Sequence, residues 1–400
     1  MNQRLFERSF LRSVMEEFSA TVCLSMIVRN EAPVIKRCLD SVIPFIDHWI
    51  IVDTGSTDGT REKVQAALAG LPGMLVERPW VDFAFNRNEA LTLARPHADY
   101  SLIIDAAAEL IIPDDFVLPN LQDAGYTFQI VKNRIQYRRI QLVSNKLNWC
   151  YRGVIHEFLE CSGNPETPAL PLFMRYGDDG ARHRDRVTEL RDIAAMEKAL
   201  STEADPFLIS RYTFYLARSY RDTGQHFKAL DHFLRRGEFG FDEEEVYLSL
   251  LEAVCIMEKL GAPAETVLKM YDQIIPICPD RAEARYSACR YLRSQGKFAT
   301  ALSYAEAGIA LDVPAEGVSI DTSVYKYGML HELADSVFHL GKYRLCISAC
   351  LKIMRQADVT PDILQRSITL AREALAKLTD PAWGCQPVPY TSDFMPDWQI

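Results

Sequence analysis

The first half of the chain alternates short apolar runs with polar loops and helix-like segments. The runs are VCLSMIV (22–28), WIIVD (49–53) and YSLIID (100–105), and a turn or helix-start signal follows each of them. This alternation predicts a mainly parallel sheet covered by helices. Ligands of such sheets bind beyond the carboxyl ends of the strands, so polar residues at those ends are candidate site residues.

Longer β-rich runs that contain arginine follow: YTFQIV, YRRIQLV and VIHEFLE, between residues 126 and 160. They predict an antiparallel extension of the sheet. Neighbouring residues of a strand face opposite sides, so we expect the side chains of His156 and Glu157 to point in different directions unless a bulge intervenes.

The second half is helical in pattern and contains a recurring unit. Gly224, Gly296 and Gly341 occupy the same place between two helix-like segments, and Gly261 marks a weaker copy. The spacing resembles a degenerate tetratricopeptide array, whose period is about 34 residues. Stacked helix pairs leave a concave groove that suits an extended peptide, although such repeats also mediate dimerisation, so an acceptor-binding role and a homodimer both remain open.

Four segments are predicted from these patterns. They are a leader helix (1–20), an α/β domain (21–185), helical repeats (186–378) and a tail rich in proline and aromatic residues (379–400).

Composition narrows the classes of function. The 44 Lys and Arg against 54 Asp and Glu give a net charge of -10, which disfavours binding to nucleic acid or to an anionic membrane. The ten cysteines form no CxxC pair and are typical of reduced thiols in a cytoplasmic protein. No stretch has the roughly 20 uncharged apolar residues of a membrane span, and the amino-terminal segment lacks the apolar run of a signal peptide.

Two motifs, LSMIVRNE and IIVDTGSTDGT, together resemble the opening of family 2 glycosyltransferases with the GT-A fold. The likeness spans roughly residues 21–185 and is strongest to bacterial members that carry tetratricopeptide repeats. It implies that the nucleotide-sugar is bound by Val28, Asn30, Glu31, Asp53, Gly55, Arg87 and Asp105.

The chemistry of Asp53 agrees with that role. Its carboxylate can accept a hydrogen bond from a uracil N–H or a ribose hydroxyl, and Gly55 lets the backbone approach a ligand closely. D-T-G-S is also good turn chemistry, so Asp53 as a turn residue is the alternative. We expect Ser56, Thr57 and Asp58 to act as helix caps rather than ligand contacts.

Two further segments resemble family elements. Arg87 in FAFNRNEAL corresponds to an arginine near the diphosphate, and a surface ion pair is its alternative role. His156 in RGVIHEFLE is expected to offer its imidazole to the metal or the diphosphate, and a structural role is its alternative.

The segment YSLIIDAAAEL departs from the family pattern. The family has an acidic D-x-D cluster there, which holds Mg²⁺ or Mn²⁺ against the diphosphate. Asp105 and Glu109 fit, but Ala107 and Ala108 stand where acids are expected. Either the acids were lost naturally or they were replaced deliberately; because the flanking motifs are intact, our hypothesis is deliberate replacement, with a metal site that is weak or absent.

The resemblance implies an inverting transfer, of the hexosyltransferase type, from a nucleotide-sugar to a peptide, protein or glycan acceptor. We expect a UDP-sugar donor. Such a transfer needs a base for the acceptor proton, and the candidates are Asp178, Asp179 and Glu157. The alternative is a catalytically dead nucleotide-binding and repeat scaffold. A nucleotidyltransferase ranks last, because SMIVRNEAP lacks the glycines of its phosphate loop.

Overall fold

The computed structural model describes residues 20–132, 135–184, 187–314 and 317–379. Its strands are β1 Val22–Val28, β2 His48–Asp53, β3 Gly73–Glu77, β4 Tyr100–Ile103, β5 Ala108–Ile111, β6 Gly125–Lys132, β7 Ile135–Ser144, β8 Cys150–Arg152, β9 Phe158–Glu160, β10 Ala169–Tyr176 and β11 Ile320–Asp321. The predicted leader helix and tail lie outside the described residues, apart from Ala20 and Thr379.

The helices follow in chain order. They are α1 Ile35–Val42, α2 Thr60–Ala67, α3 Phe83–Ala94, α4 Ala181–Arg184, α5 Thr188–Leu200, α6 Pro206–Asp222, α7 His226–Glu238, α8 Glu243–Lys259, α9 Ala264–Ile274, α10 Glu283–Ser294, α11 Phe298–Ile309, α12 Met329–His339, α13 Tyr343–Met354 and α14 Pro361–Thr379. A π-helical turn, Val324–Gly328, leads into α12.

The main sheet has the strand order β3-β2-β1-β4-β7-β6-β10-β5. Strand β1 is parallel to β2 and β4, and β2 is parallel to β3. Strand β7 is antiparallel to both β4 and β6, and β10 is antiparallel to β5. Strand β10 is parallel to β6. The predicted parallel half is confirmed, and so is the antiparallel extension for the runs YTFQIV and YRRIQLV; the third run, VIHEFLE, instead supplies β9, which pairs with β8 in a separate two-stranded sheet.

Helix α1 packs against the sheet through one stripe of apolar residues. Ile35, Cys38, Leu39 and Val42 recur every three or four residues, and all are fully buried in the core that β1 and β2 also form. Strand β1 is buried almost along its whole length, because a central parallel strand is covered on both faces. This packing fixes the carboxyl ends of β1, β2 and β4 at one edge of the sheet.

Four helix pairs share one type of turn. Gly224, Gly261, Gly296 and Gly341 all have a φ between 71° and 77°. After Gly224, the N–H of Gln225 donates to the carbonyl of Tyr220 at 2.7 Å, and the same bond recurs after the other three glycines. This is a Schellman turn, in which the left-handed residue is usually glycine. The predicted repeat turns, including the weaker copy at Gly261, are confirmed.

The chain forms two compact units. The first holds the described residues up to Ile256 together with 317–320, and the second holds Met257–Pro314 and the described residues from Asp321 onward. The first unit thus includes helices α4–α7 and most of α8 as well as the sheet. The predicted domain boundary at residue 185 stays a prediction.

Two observations concern the chain as a whole. Within the described ranges, none of the helices combines the length and the apolar character that crossing a bilayer requires. The cysteines there, nine in number, are free thiols.

Candidate functional site

The loops after β1 and β2 are interlocked by side-chain hydrogen bonds. The N–H of Asn30 donates to Oγ of Ser56 at 2.9 Å, and its side-chain Oδ1 accepts the N–H of Thr57 at 2.8 Å. The N–H of Glu31 donates to Oγ1 of Thr60 at 2.8 Å. Asn30 has a φ of 55°, which asparagine tolerates better than most residues. The two motifs that resemble the family therefore form one interlocked loop pair.

Asp53 ends β2 with one oxygen bound and one free. Its Oδ1 accepts the N–H groups of Gly55 at 2.9 Å and Ser56 at 2.8 Å. Its Oδ2 is buried and has no hydrogen-bond partner among the residues that the structure describes, and Asp53 is 1% exposed. A buried acceptor without a donor is costly and rare in folded proteins. Asp53 thus serves the turn and also keeps an acceptor free.

The surroundings of Asp53 leave room on the ligand side. Gly55 has a φ of 104°, and no atom lies within 4 Å of the position that a Cβ would take. Val28 ends β1, where its carbonyl accepts the N–H of Thr54 at 2.9 Å. Asp58 bonds the N–H of Thr60, in the first turn of α2, at 3.1 Å. Asp58 is thus a structural residue, but the predicted capping role is wrong in detail, because the N-cap of α2 is Gly59 rather than Ser56, Thr57 or Asp58.

Arg87 on α3 forms ion pairs with two carboxylates close to the end of β4. Its Nη2 lies 2.5 Å from Oδ1 of Asp105, just beyond β4, and its Nε lies 2.6 Å from Oε1 of Glu157. The side chains of Arg87 and Glu157 are each 12% exposed. The ion pair weighed as the alternative for Arg87 is therefore present, but it lies in the protein rather than on the surface.

The second oxygen of Asp105 is held from β7 and β10. Its Oδ2 accepts the hydroxyl of Tyr176 at 2.7 Å and lies 3.5 Å from Nη2 of Arg139. Burial alone would raise the pKa of Asp105, but the charges of Arg87 and Arg139 hold it well below its usual value. The carboxylate of Asp105 is therefore ionised, and both of its oxygens accept hydrogen bonds.

Arg139, Tyr176 and Tyr151 are further residues of the site that none of the sequence motifs marks. Burial raises the pKa of Tyr151 to about 12, and its ring lies 5.4 Å from the guanidinium carbon of Arg87. The sequence held one signal for Arg139: in YRRIQLV, Tyr137 and Arg139 are two residues apart and therefore share one face of β7. The sequence alone does not show that β7 lies next to β4.

The alanines after Asp105 offer no oxygen ligand from their side chains. Ala108 is fully buried in the sheet core, and Ala107 lies beside Gly180, where an added Cβ would come within 2.9 Å of the Cβ of Ala107. Among the described residues, no three side chains of the His, Cys, Asp or Glu type are arranged to hold a metal ion. Since Asp105 is bound by two arginines, the residues present do not fit Mg²⁺ or Mn²⁺.

His156 lies in a loop rather than in the predicted strand. The run VIHEFLE is extended only from Phe158, because Gly153 and His156 have φ values of 98° and 53°. The ring of His156 stacks on Tyr215 of α6 at 3.8 Å, whereas Glu157 contacts Arg87. The two side chains thus diverge, as expected.

The electrostatic setting of His156 keeps its imidazole neutral. Desolvation by the surrounding protein is the main cause that lowers the pKa of His156, and the nearby charges of Arg218, Arg211 and Arg182 lower it further. The residue is nevertheless open to solvent at its outer face. Its imidazole is therefore a neutral, accessible hydrogen-bonding group.

The candidate bases stand in different surroundings. Asp179 is bound by Arg37 through contacts of 2.8 and 3.0 Å, and about half of its side chain is exposed. Arg37 also donates to the carbonyl of Ala107 at 3.4 Å, so Asp179 lies near the altered acidic motif. Glu157 is committed to Arg87 inside the protein. The carboxylate of Glu31 accepts the N–H of Ala181 at 3.0 Å, close to Asp179 in sequence.

The amino-terminal part of the chain is similar to a known family. Residues 23–120 match the family model of glycosyl transferase family 2. A TPR repeat-containing protein of Synechococcus elongatus is 28% identical over 273 residues, which cover 63% of this chain and 65% of that protein. The match therefore spans less than two thirds of that relative's length.

Solved structures that match part of this chain include a MamA protein and two TPR proteins. A MamA from Desulfovibrio magneticus RS-1 is 14% identical, with a TM-score of 0.33 over 44% of this chain and 93% of its own. YrrB, a TPR protein, is 16% identical, with a TM-score of 0.33 over 47% of this chain and 83% of its own. A TPR protein of Thermus thermophilus is 16% identical, with a TM-score of 0.32 over 46% of this chain and 90% of its own.

Proposed function

We propose, from the premise that residues 23–120 form a domain of the glycosyl transferase family 2 type, that this chain binds a nucleotide-diphosphate sugar, with UDP as the nucleotide. The site is the edge of the sheet where β1, β2 and β4 end. The reaction is an inverting transfer to a peptide, protein or glycan acceptor, with the helical repeats as a candidate acceptor surface.

The observation that carries the proposal is the free Oδ2 of Asp53. Because this oxygen is buried without a donor, a ligand that supplies an N–H or O–H group would remove a cost that the empty protein bears. The N3–H of uracil is such a donor. The open space at Gly55, next to Asp53, supports the approach of a flat ring.

For the transfer itself, Asp179 is the better placed base. Its carboxylate is exposed, whereas Glu157 is enclosed with Arg87. In the proposed step the base takes the proton of the acceptor hydroxyl as the oxygen attacks the anomeric carbon. The bond from that carbon to the diphosphate breaks, and the nucleoside diphosphate leaves with the electron pair.

A binding scaffold without turnover is the second candidate. It is favoured by Ala107, which stands where the family has an acid, and by the arginines that occupy Asp105. Both candidates share donor binding and differ only in the transfer. Release of UDP from UDP-sugars, measured over hours at high protein concentration, separates them.

Calorimetric titration with UDP, uridine and UDP-sugars tests the shared step. Asp53→Asn replaces the free oxygen by a donor that opposes the uracil N–H, so we expect binding at least about tenfold weaker, or about 1.4 kcal/mol. The control is Asp99→Asn, at the opposite end of the sheet, where the Asp99 carboxylate accepts the N–H and the hydroxyl of Thr21. If the unsubstituted chain binds no uridine nucleotide, the proposal is wrong.

A further inference from the structure

Arg218 on α6 carries a positive charge that no carboxylate of the described residues balances. It is half-buried, and within the described part of the chain no Asp or Glu side chain lies in ion-pair distance of it. Its guanidinium carbon lies 5.6 Å from the ring of Phe214 and 6.0 Å from that of Tyr215. A partly desolvated charge without a partner is unfavourable, and a bound anion would relieve it.

The neighbouring ion pairs leave the same region positive. Glu245 is shared by Arg211 at 3.3 Å and Arg236 at 3.0 Å, and Asp192 pairs with Arg182. Arg211 and Arg236 share one carboxylate, so with Arg218 the guanidinium groups outnumber the carboxylates among these residues.

His156 joins these arginines to the nucleotide side of the site. Nε of Arg211 donates to the carbonyl of His156 at 3.0 Å, and the His156 ring stacks on Tyr215 between the arginines of α6. The next residue, Glu157, reaches Arg87, which in turn binds Asp105 at the end of β4. The positive region therefore adjoins the strand ends where the nucleotide is proposed to bind.

We infer that Arg218, Arg211 and His156 form an anion subsite that holds the phosphate groups of the nucleotide-sugar donor without a divalent metal ion. The inference rests on the proposed function for the identity of the anion. Guanidinium groups bind phosphate oxygens by paired hydrogen bonds, and their fixed charge takes over the neutralisation that the altered acidic motif no longer supports. The neutral imidazole of His156 adds one N–H donor.

The chemistry of the subsite differs from a metal site in a measurable way. A chelator removes the metal ion from a metal site and thereby weakens phosphate binding there. Guanidinium groups still bind phosphate when a chelator is present. Arginine–phosphate contacts also weaken with salt, because counter-ions screen them. Binding of the free nucleoside, which has no phosphate, should depend neither on the chelator nor on phosphate contacts that salt weakens.

Calorimetry in EDTA tests the inference with three probes: inorganic pyrophosphate, UDP and uridine. In Arg218→Gln we expect pyrophosphate and UDP to bind at least about tenfold more weakly, or about 1.4 kcal/mol, and uridine to bind unchanged. Arg235→Gln on α7 is the charge-matched control, since Arg235 is exposed and outside the subsite. Arg218→Lys keeps the charge but not the paired hydrogen bonds. Its affinity for pyrophosphate should therefore lie between those of Arg218→Gln and the unsubstituted chain.

Each outcome points one way. If Arg218→Gln and Arg218→Lys fold and bind pyrophosphate as tightly as the unsubstituted chain, or if Mn²⁺ strengthens UDP binding tenfold, the subsite is overturned. If uridine binds and pyrophosphate does not, the subsite fails while the proposed function stands. If pyrophosphate binding depends on Arg218 but no uridine compound binds, the subsite stands and the proposed function fails.

Discussion

The guanidinium group of Arg87 lies between the carboxylates of Asp105 and Glu157, 2.5 Å from the first and 2.6 Å from the second. One residue thus ties helix α3 to the end of β4 and to the loop that carries His156. Removing it would leave two enclosed carboxylates close to each other without their shared cation.

We expect Arg87→Gln to lower the free energy of unfolding by about 3 kcal/mol, because breaking a largely buried ion pair strands its partner. Adding Glu157→Gln should recover part of that loss. Urea denaturation measures both. The control is Arg61→Gln, which breaks the exposed pair with Glu77 and should cost less than about 1 kcal/mol. Equal losses for Arg87→Gln and Arg61→Gln would contradict the expectation.

Aspartate at the two altered positions should have unequal effects. Ala108 is fully buried in the apolar core of the sheet, so Ala108→Asp would enclose an unpaired carboxylate and cost about 3 kcal/mol or more. Ala107 is half-buried, so Ala107→Asp should cost much less. Denaturation curves of the two variants give the comparison. A stable Ala108→Asp protein would support deliberate replacement of an acid at that position.

Acid should weaken the fold in part through His156. Its pKa in the folded chain lies below the ordinary value of 6.5. The unfolded state therefore binds more protons below about pH 6.5, and stability falls as the pH drops from there. His156→Asn, which tolerates the positive φ, should flatten this slope. The measurement is the denaturation midpoint between pH 4 and 8; an unchanged slope in the variant would refute the assignment.

A repeat turn offers a test of backbone strain alone. Gly224 has a φ of 77° and open space around the position of a Cβ, so Gly224→Ala should cost about 1 kcal/mol purely through the left-handed conformation. Gly240 has equally open space without a positive φ. Gly240→Ala should therefore leave the urea midpoint nearly unchanged, and a similar loss in both variants would show that strain is not the cause.

The parts of this protein that the sequence reveals are those encoded locally. Strand β1 matches the apolar run at 22–28, and the loop motifs around Asn30 and Asp53 meet because parallel strands end together. The repeat turns follow from single glycines. These features depend on neighbours in sequence, so pattern and turn chemistry suffice to predict them.

The remainder of the site depends on pairings between distant segments. Arg139 reaches Asp105 only because β7 lies antiparallel to β4, and Tyr176 only because β10 joins the same sheet. Arg218 belongs to a helix whose sequence reads as an ordinary repeat. No local pattern marks these residues, and the predicted strand through His156 was wrong because two positive φ values interrupt it.

Helix α6 belongs to the same compact unit as the sheet, and the hydroxyl of its Tyr212 accepts the N–H of Val154 at 3.0 Å. This sets a limit on how such a protein can diversify by recombination. Exchanges of repeats in the second unit leave the strand-end residues untouched, whereas an exchange that begins at α6 replaces side chains that hold the His156 loop. Under the proposed function, a transplantable donor-binding unit would therefore have to include α6 as well as the sheet.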